Sequence, residues 1–189
     1  MSALGQLFCR LNRSIPAPLV DWDHVVGCWC AEYQATFSEA QISEVNLDFA
    51  VFLFDHWAER VTLAYAISVV QLYPRDAARM RGFPDVNVGV KSVLGPRAFP
   101  ADRGHFLGHA SGGALDINLF PQSRRLNRGW SSEGKRFRAM ERYVAAHPGA
   151  FFYHRPFYQD GTWIPARLEY AVLRPDGTWW KDAFANRAK

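Results

Sequence analysis

The sequence is short of cysteine and of uninterrupted apolar runs, and each shortage excludes a class of protein. Its three cysteines are Cys9, Cys28 and Cys30, an odd number without the spacing of a disulfide framework or of a structural zinc site. We therefore expect reduced thiols in a reducing compartment. The most apolar stretch, residues 49–73, is interrupted by the charged segment at 55–60, so we expect no membrane-spanning helix.

The N terminus also lacks the pattern of a secretory signal, because the apolar run within MSALGQLFCRLNRS is too short. We therefore expect a cytoplasmic protein, or one that is delivered out of the cell without a signal peptide. The excess of basic residues is small, since 22 Lys and Arg against 18 Asp and Glu give a net charge of +4. Such a charge fits a polyanionic partner such as DNA or RNA but does not require one.

Apolar and aromatic side chains are abundant, in patterns typical of a globular protein. Hydrophobic residues make up 49% of the chain and aromatic residues 15%, which is enough for a core without disulfides or structural metals. In residues 1–82 the patterns favour helices: a short one over 21–35, a second over 38–60 that begins at a capping box, and a third over 61–73 that ends before a proline. We assign residues 1–82 to a helical N-terminal region.

Residues 83–189 mix strands with one long helix. The segment VNVGVKSV at 86–93 alternates in hydrophobicity, which predicts a strand. Residues 115–130 have little periodicity and are interpreted as a loop, and a serine-capped helix is predicted over 131–147. Further strands are predicted at the C terminus, over 151–154, 167–174 and 178–181. The predicted fold class is therefore α+β.

The densest group of polar residues lies in DRGHFLGHASGGALDINLFPQSRRLNRGW, residues 102–130. Phosphodiester hydrolysis needs a base that is neutral near pH 7, an oxygen ligand for a hard divalent cation, and cationic side chains for the phosphate. A histidine has an ordinary pKa of about 6.5, and an asparagine carbonyl binds Mg²⁺ without adding negative charge beside a polyanion. His105, Asn127 and the arginines of this stretch supply all three parts.

Four motifs in this region resemble the DNA/RNA non-specific endonuclease family of the ββα-metal (His-Me finger) nuclease superfamily. They are DRGH at 102–105, NLFPQ at 118–122, LNRG at 126–129 and Met140-Glu141. The match covers residues 86–175, about half of the chain. The resemblance implies a nuclease domain over 83–189 whose core is a ββα-metal finger over 86–147, flanked by the helical N-terminal part and by C-terminal β-hairpin strands.

The resemblance also implies an activity: metal-dependent endonucleolytic hydrolysis of DNA, RNA or both, with little sequence specificity. His105 matches the general base, Arg103 matches the arginine beside the base, and Asn127 matches the metal ligand. The metal is expected to be one Mg²⁺, for which Mn²⁺ can substitute. Asn118 and Gln122 match positions that order the metal loop and its water network.

The carboxylate of this site has two candidates. Glu141 matches the helix glutamate that holds a water molecule at the metal in the family. The interval between Asn127 and Glu141 is longer than in the family, however, so Glu133 competes with Glu141 for the role.

Several neighbouring residues complete the expected site. All of them are polar residues of the motif region. The basic ones are interpreted as substrate-binding residues that contact phosphates: Arg124, Arg125 and Arg128. Asp102 is interpreted as structural support for the turn, and His109 as a support or substrate contact.

Other functions are left open by the same residues. A zinc hydrolase could use His105 and His109, although HFLGH lacks the glutamate of the usual helical zinc motif. The chain could also be a nucleic-acid-binding module, or a protein-interaction module, with a degenerate and inactive site. Since similar nuclease domains occur as bacterial effector toxins with immunity proteins, the resemblance further implies an acidic immunity or inhibitor protein that covers the basic active face.

Overall fold

The structure, a computed structural model that describes residues 1–72, 74 and 85–187, is built on a six-stranded antiparallel sheet and a separate two-stranded hairpin. The strands are β1 (Ile42–Leu47), β2 (Ala50–Asp55), β3 (Arg60–Ile67), β4 (Ala101–His105), β5 (Leu119–Ser123), β6 (Phe151–Phe157), β7 (Arg167–Leu173) and β8 (Trp179–Ala185). The α-helices in the described ranges are α1 (Ala3–Arg10), α2 (Trp22–Thr36), α3 (Val86–Leu94), α4 (Arg124–Asn127) and α5 (Ser132–Ala146). The predicted α+β class is confirmed.

The large sheet joins the two ends of the chain. Its strand order is β1-β2-β3-β6-β7-β8, and β4 and β5 form the hairpin. The pairing of β3 with β6 places Ala64 opposite His154 and Ile67 opposite Phe151. The sheet therefore contains strands from both sides of the boundary expected at residue 82.

Successive side chains of a strand point to opposite faces of a sheet, and the central strands β2 and β3 are buried on both faces. Val51 and Leu53 of β2 belong to a hydrophobic cluster with α1 and α2, in which Trp22 is 4% exposed. Phe52, between them, belongs to a second cluster with the hairpin and with Phe137 of α5. The sheet is thus the middle layer, and the ββα unit of β4, β5 and α5 packs on one side of it.

The helices predicted over 38–60 and 61–73 are wrong, since Ile42–Leu47, Ala50–Asp55 and Arg60–Ile67 are strands. Residue 73, the last of the second predicted helix, lies outside the described residues. A strand that is covered on both faces reads as a continuous apolar run without alternation. β3 is such a strand, because every position from Arg60 to Ile67 is buried. Among the described residues, the N-terminal part is helical only in α1, α2 and a 3-10 turn at Ala17–Leu19.

The strand predicted over 86–93 is also wrong, because the segment is helix α3. Asp85 caps its first turn and Gly95 ends it with a positive φ of 55°. Val90 and Leu94 are four residues apart and both buried. The valines that alternate in the sequence therefore also satisfy the spacing of a helix.

The sequence-based predictions for the ββα unit and the C-terminal strands agree better with the structure. The Ser131 hydroxyl accepts a hydrogen bond from the Gly134 amide at 3.0 Å, which confirms the serine-capped helix predicted over 131–147. The strands predicted over 151–154, 167–174 and 178–181 are confirmed as parts of β6, β7 and β8. The prediction of a loop over 115–130 is wrong for the residues that form β5 and α4.

No helix of the described ranges has both the length and the apolar character to cross a bilayer.

Gly134 sets how closely α5 approaches α4. A Cβ at this position would lie 2.5 Å from the carbonyl oxygen of Arg125 and 2.9 Å from that of Leu126. Because these are backbone atoms of the helix that carries Asn127, the chain cannot relieve the overlap by turning a side chain. We predict that Gly134→Ala lowers the free energy of unfolding by about 1–3 kcal/mol, measured by urea denaturation.

Gly27→Ala is the matched control. Gly27 lies inside α2, but a Cβ there would meet nothing within 4 Å. The substitution is expected to raise stability by about 0.5–1 kcal/mol, because alanine favours a helix more than glycine does. Equal destabilisation by both substitutions would contradict the close packing of α4 on α5.

Candidate active site

The hairpin of β4 and β5 carries the residues of the DRGH motif. In its register, Asp102 lies opposite Gln122 and His105 opposite Leu119. Alternation along β4 places Arg103 and His105 on one face and Asp102 on the other. His105 is the last residue of β4 and is partly buried, so the general-base candidate lies where the strand leads into the loop that follows it.

The glycine of this motif is required by Gln122. A Cβ at Gly104 would lie 2.4 Å from both Cβ and Oε1 of Gln122. The Gln122 side chain is 1% exposed, so it has no room to move away. Gln122 thus packs across the hairpin beneath the motif rather than in solvent, and it fits a positioning role better than direct substrate contact.

Asn118 fixes the loop that follows His105. Its Oδ1 accepts a hydrogen bond from the Leu107 amide at 2.8 Å. Its Nδ2 donates to the carbonyl oxygens of Leu107 at 2.8 Å and Ala114 at 2.6 Å. Because Asn118 is fully buried, these bonds are shielded from water and strong. The residue therefore orders this loop through its backbone.

Asp102 gathers three of the expected site residues into one cluster. Arg128 donates to it through Nε at 2.7 Å and through a terminal nitrogen at 3.1 Å, a bidentate arrangement. Arg124 Nε donates at 3.1 Å and Asn127 Nδ2 at 3.2 Å. Burial alone would raise the pKa of Asp102, but the hydrogen bonds from Arg128, Asn127 and Arg124 outweigh it and hold the pKa below the usual range. Asp102 is therefore an ionised anchor.

The carboxylate of Asp102 determines which way the Asn127 amide points. An ionised carboxylate only accepts hydrogen bonds, so the amide nitrogen of Asn127 must face it. The carbonyl oxygen, Oδ1, then points away from Asp102 and accepts no hydrogen bond from the residues that the structure describes. Asn127 thus presents one neutral oxygen atom, whose orientation is fixed by the hydrogen bond between the amide nitrogen and Asp102.

The three arginines of this region differ in their surroundings. Arg124 and Arg128 pair with Asp102. Arg125 is exposed and forms no ion pair within the described ranges. With two guanidinium groups around one carboxylate and a third beside them, the cluster has a net positive charge. Arg125 is consequently the arginine of this group whose charge is available to a phosphate.

Three further candidates, Arg103, Glu141 and His109, line two cavities. Arg103 lines a cavity of about 280 Å³ together with Trp163. Glu141 and His109 line a cavity of about 260 Å³ with His154, and Glu141 lies 3.6 Å from Arg138. Burial lowers the pKa of His154 to about 3, so this histidine is neutral at pH 7.

The competing carboxylate, Glu133, occupies the first turn of α5. Gly134, the next residue, is in close contact with the backbone of Arg125 and Leu126. Glu133 is therefore carried by the turn that packs on α4, the helix of Asn127. Glu141 lies eight residues later, about 12 Å further along the helix.

Sequence reasoning missed Asn186, which ties the hairpin to the C-terminal segment. Its Oδ1 accepts from the Ser123 amide at 2.8 Å, and its Nδ2 donates to the carbonyl oxygens of Pro121 at 2.9 Å and Pro165 at 2.8 Å. The residue is 1% exposed. No local pattern indicates it, because its partner Ser123 is 63 positions away.

The carboxylates, histidines and cysteines of the described ranges form no cluster of three or more that could hold a metal ion. A zinc site made from His105 and His109 would need such a cluster. A site for a hard cation does not, because amide oxygens and water complete its coordination. The amide oxygen of Asn127 is a donor of the kind that a hard cation accepts.

Comparison with known proteins assigns the chain to no family. The chain matches no family model, and no curated protein matches it. Among solved structures it is similar to EndoG in its complex with EndoGI, with 13% identity over 79% of this chain and 76% of that chain and a TM-score of 0.48. It is also similar to Sda1 nuclease with bound zinc ion, with 14% identity over 82% of this chain and 81% of that chain and a TM-score of 0.48. An extracellular endonuclease gives 16% identity, 79% and 80% coverage and a TM-score of 0.43. These fold neighbours are nucleases, but at such values the likeness assigns no activity to this chain.

The ionised state of Asp102 has a consequence for stability. Its folded-state pKa is lowered, so its hydrogen bonds stabilise the protein above the ordinary pKa of about 3.9 and are lost as the pH falls through the folded-state pKa. We predict that Asp102→Asn costs roughly 1–2 kcal/mol at pH 7 and progressively less below pH 4, measured by urea unfolding.

Glu39→Gln is the control, since it removes an exposed carboxylate before β1. Its stability curve should follow that of the wild type at every pH. If Asp102→Asn were as stable as wild type at pH 7, the anchoring role of Asp102 would be wrong.

Proposed function

We propose that the chain is a metal-dependent endonuclease that hydrolyses phosphodiester bonds of DNA, RNA or both with little sequence specificity. The observation that carries this proposal is the hydrogen bond from Asn127 Nδ2 to Asp102 Oδ2 at 3.2 Å. It turns a neutral carbonyl oxygen outward beside a cluster of net positive charge, in the unit whose first strand ends at His105. The buried Asn118, by contrast, places both of its amide atoms on protein partners.

The residues present fit a magnesium ion. Mg²⁺ prefers oxygen ligands and keeps several of its waters, so it needs few protein ligands. Asn127 would hold it directly, and Glu133 or Glu141 would support it through water. We favour Glu133, because it is carried by the turn of α5 that contacts α4. When bound, the ion offsets negative charge on the phosphate and on the leaving oxygen, and Mn²⁺ can supply the same chemistry.

The chain's own residues perform the proton transfer and the binding. The neutral imidazole of His105 takes a proton from the attacking water molecule. A bond forms between that oxygen and phosphorus while the bond to one ester oxygen breaks, and the leaving oxygen takes a proton from a solvent water molecule. The Asn118 clamp on Leu107 keeps the loop after His105 from moving during this transfer.

Substrate binding rests on phosphates rather than on base edges in a groove. Arg125 is exposed in the positive cluster, and Arg103 shares the face of His105 on β4. Contacts of this kind give binding that depends on salt and discriminates little between sequences.

The exposed basic face also bears on partners. An acidic inhibitor protein would cover the cluster around Asp102 and associate rapidly through electrostatic steering. Such an inhibitor would restrain a cytoplasmic nuclease in the cell that makes it. Its existence, and delivery of the chain out of the cell as a toxin, stay predictions of the sequence resemblance.

Loss of the general base tests the reaction most simply. We predict that His105→Ala lowers the rate of plasmid nicking and RNA cleavage in Mg²⁺ by about 10²–10⁴-fold, because general-base catalysis contributes that much. Binding of an oligonucleotide, measured by fluorescence anisotropy, should change little. The fold should also be unchanged, measured by circular dichroism.

His24→Ala is the matched control, since His24 is exposed on α2 outside the ββα unit. It should cleave at the wild-type rate. A wild-type rate for His105→Ala would overturn the assignment of the base.

Loss of the metal ligand should change the dependence on the ion. We predict that Asn127→Ala raises the Mg²⁺ concentration for half-maximal cleavage by at least about tenfold. Asn46→Ala, which alters an exposed asparagine of β1, should not change it. An unchanged Mg²⁺ requirement in Asn127→Ala would exclude Asn127 as a ligand.

The same titration decides between the two carboxylates. Glu133→Gln is expected to raise the Mg²⁺ requirement, and Glu141→Gln to leave it near that of the wild type. The opposite result would assign the role to Glu141, as the sequence resemblance implies.

A further inference from the structure

Helix α4 ends in a turn that fixes the backbone of Trp130 beside the candidate site. Gly129 has a positive φ of 71°, and its amide donates to the carbonyl oxygen of Leu126 at 3.1 Å. The Trp130 amide donates to the carbonyl oxygen of Arg125 at 2.9 Å. These two hydrogen bonds form a Schellman motif, a common end of a helix that is followed by glycine. Trp130 is thus held in a defined position, three residues after Asn127.

The side chain of Trp130 is mostly exposed, although its backbone is fixed. In a Schellman motif the residue at this position frequently makes an apolar contact with the residue at the position of Arg125. Here that residue is an exposed arginine, and Trp130 is 61% exposed. The mechanism of cleavage does not use this indole. An aromatic side chain of this size in solvent offers a large apolar surface to a ligand.

A fixed cation supports the indole ring. The guanidinium carbon of Arg128 lies over the ring, 5.2 Å from its centroid, which is within the range of a cation–π interaction. Arg128 is itself held by its bidentate pair with Asp102. The ring is therefore oriented by the same carboxylate that orients the Asn127 amide, and most of its surface is left for a flat partner.

The charges around the indole narrow the choice of ligand. The cluster around Asp102 contains three arginines, and it keeps a net positive charge even when Glu133 of α5 is counted with it. Nucleic acid matches both features of this surface. Its phosphates are attracted by the arginines, and the flat face of a base stacks on an aromatic side chain whatever its sequence.

We propose that Trp130 stacks on an unpaired base of the substrate, in a nucleotide close to the bond that is cut. The proposal rests on the proposed nuclease function, because Asn127 marks the place of the cut. Consecutive Cα atoms are 3.8 Å apart, so the Cα atoms of Trp130 and Asn127 lie within about 11 Å of each other. A base in a duplex is covered by its neighbours and must leave the stack to reach the indole. Trp130 therefore contributes to the binding of single strands rather than of duplexes.

The test is equilibrium binding of fluorescein-labelled DNA to the full chain carrying His105→Ala, in Mg²⁺, measured by fluorescence anisotropy. Three probes are compared: a single strand of mixed sequence, the same strand annealed to its complement, and an abasic strand of the same length. Each probe is checked for cleavage at the end. Adding Trp130→Ala is expected to weaken binding of the single strand by about 5- to 100-fold, because one base stacked on an aromatic side chain contributes that much.

The other two probes separate stacking from an indirect effect on the arginines. Binding of the abasic strand and of the duplex rests on phosphate contacts, so Trp130→Ala should change it little. Trp130→Phe should retain part of the affinity for the single strand. Trp57→Ala is the matched control, since it removes a 60% exposed tryptophan between β2 and β3, and it should change none of the three affinities. Circular dichroism checks that each variant is folded.

The outcomes separate this proposal from the nuclease function. Equal weakening of all three probes by Trp130→Ala would show that the indole acts only through the arginines, and it would overturn the base contact. Unchanged binding of all three probes would also overturn it, even if the wild type cleaves, and would leave the indole to a protein partner. A loss confined to the single strand would support the base contact even if the wild type cleaves nothing.

Discussion

The hydrogen bonds received by Asp102 are the interaction on which the candidate site depends. One partly buried carboxylate holds Arg128 in a bidentate pair, binds Arg124, and orients the amide of Asn127. Removal of its charge would leave two guanidinium groups close together without a counterion and would free the Asn127 amide to turn over. The short helix α4, whose four residues are too few to be stable alone, is fixed in this way between β4 and α5.

The parts of the molecule that local patterns predict are those whose signals lie close together in the chain. The Ser131 cap predicts α5, and the closely spaced motifs bring His105 and Asn127 into one ββα unit. The strands β2 and β3 were misread as helices because coverage by α1 and α2 on one face and by the ββα unit on the other removes their alternation.

The residue that sequence reasoning missed acts over a long separation. Asn186 holds the hairpin through Ser123 and Pro121. This contact has no local signature. The arginines show a second limit: Arg124, Arg125 and Arg128 are alike in the sequence, yet only the structure separates the two that pair with Asp102 from the one that is exposed.

The most direct test of the central claim is the binding of Mn²⁺ to the full chain without nucleic acid, followed by electron paramagnetic resonance. Asp102 binds no cation in this account but orients the ligand that does. Asp102→Ala should therefore weaken Mn²⁺ binding by about 10- to 100-fold, as the loss of a supporting partner does in metal sites, while circular dichroism shows a folded protein. Wild-type affinity for Mn²⁺ in folded Asp102→Ala would contradict the account.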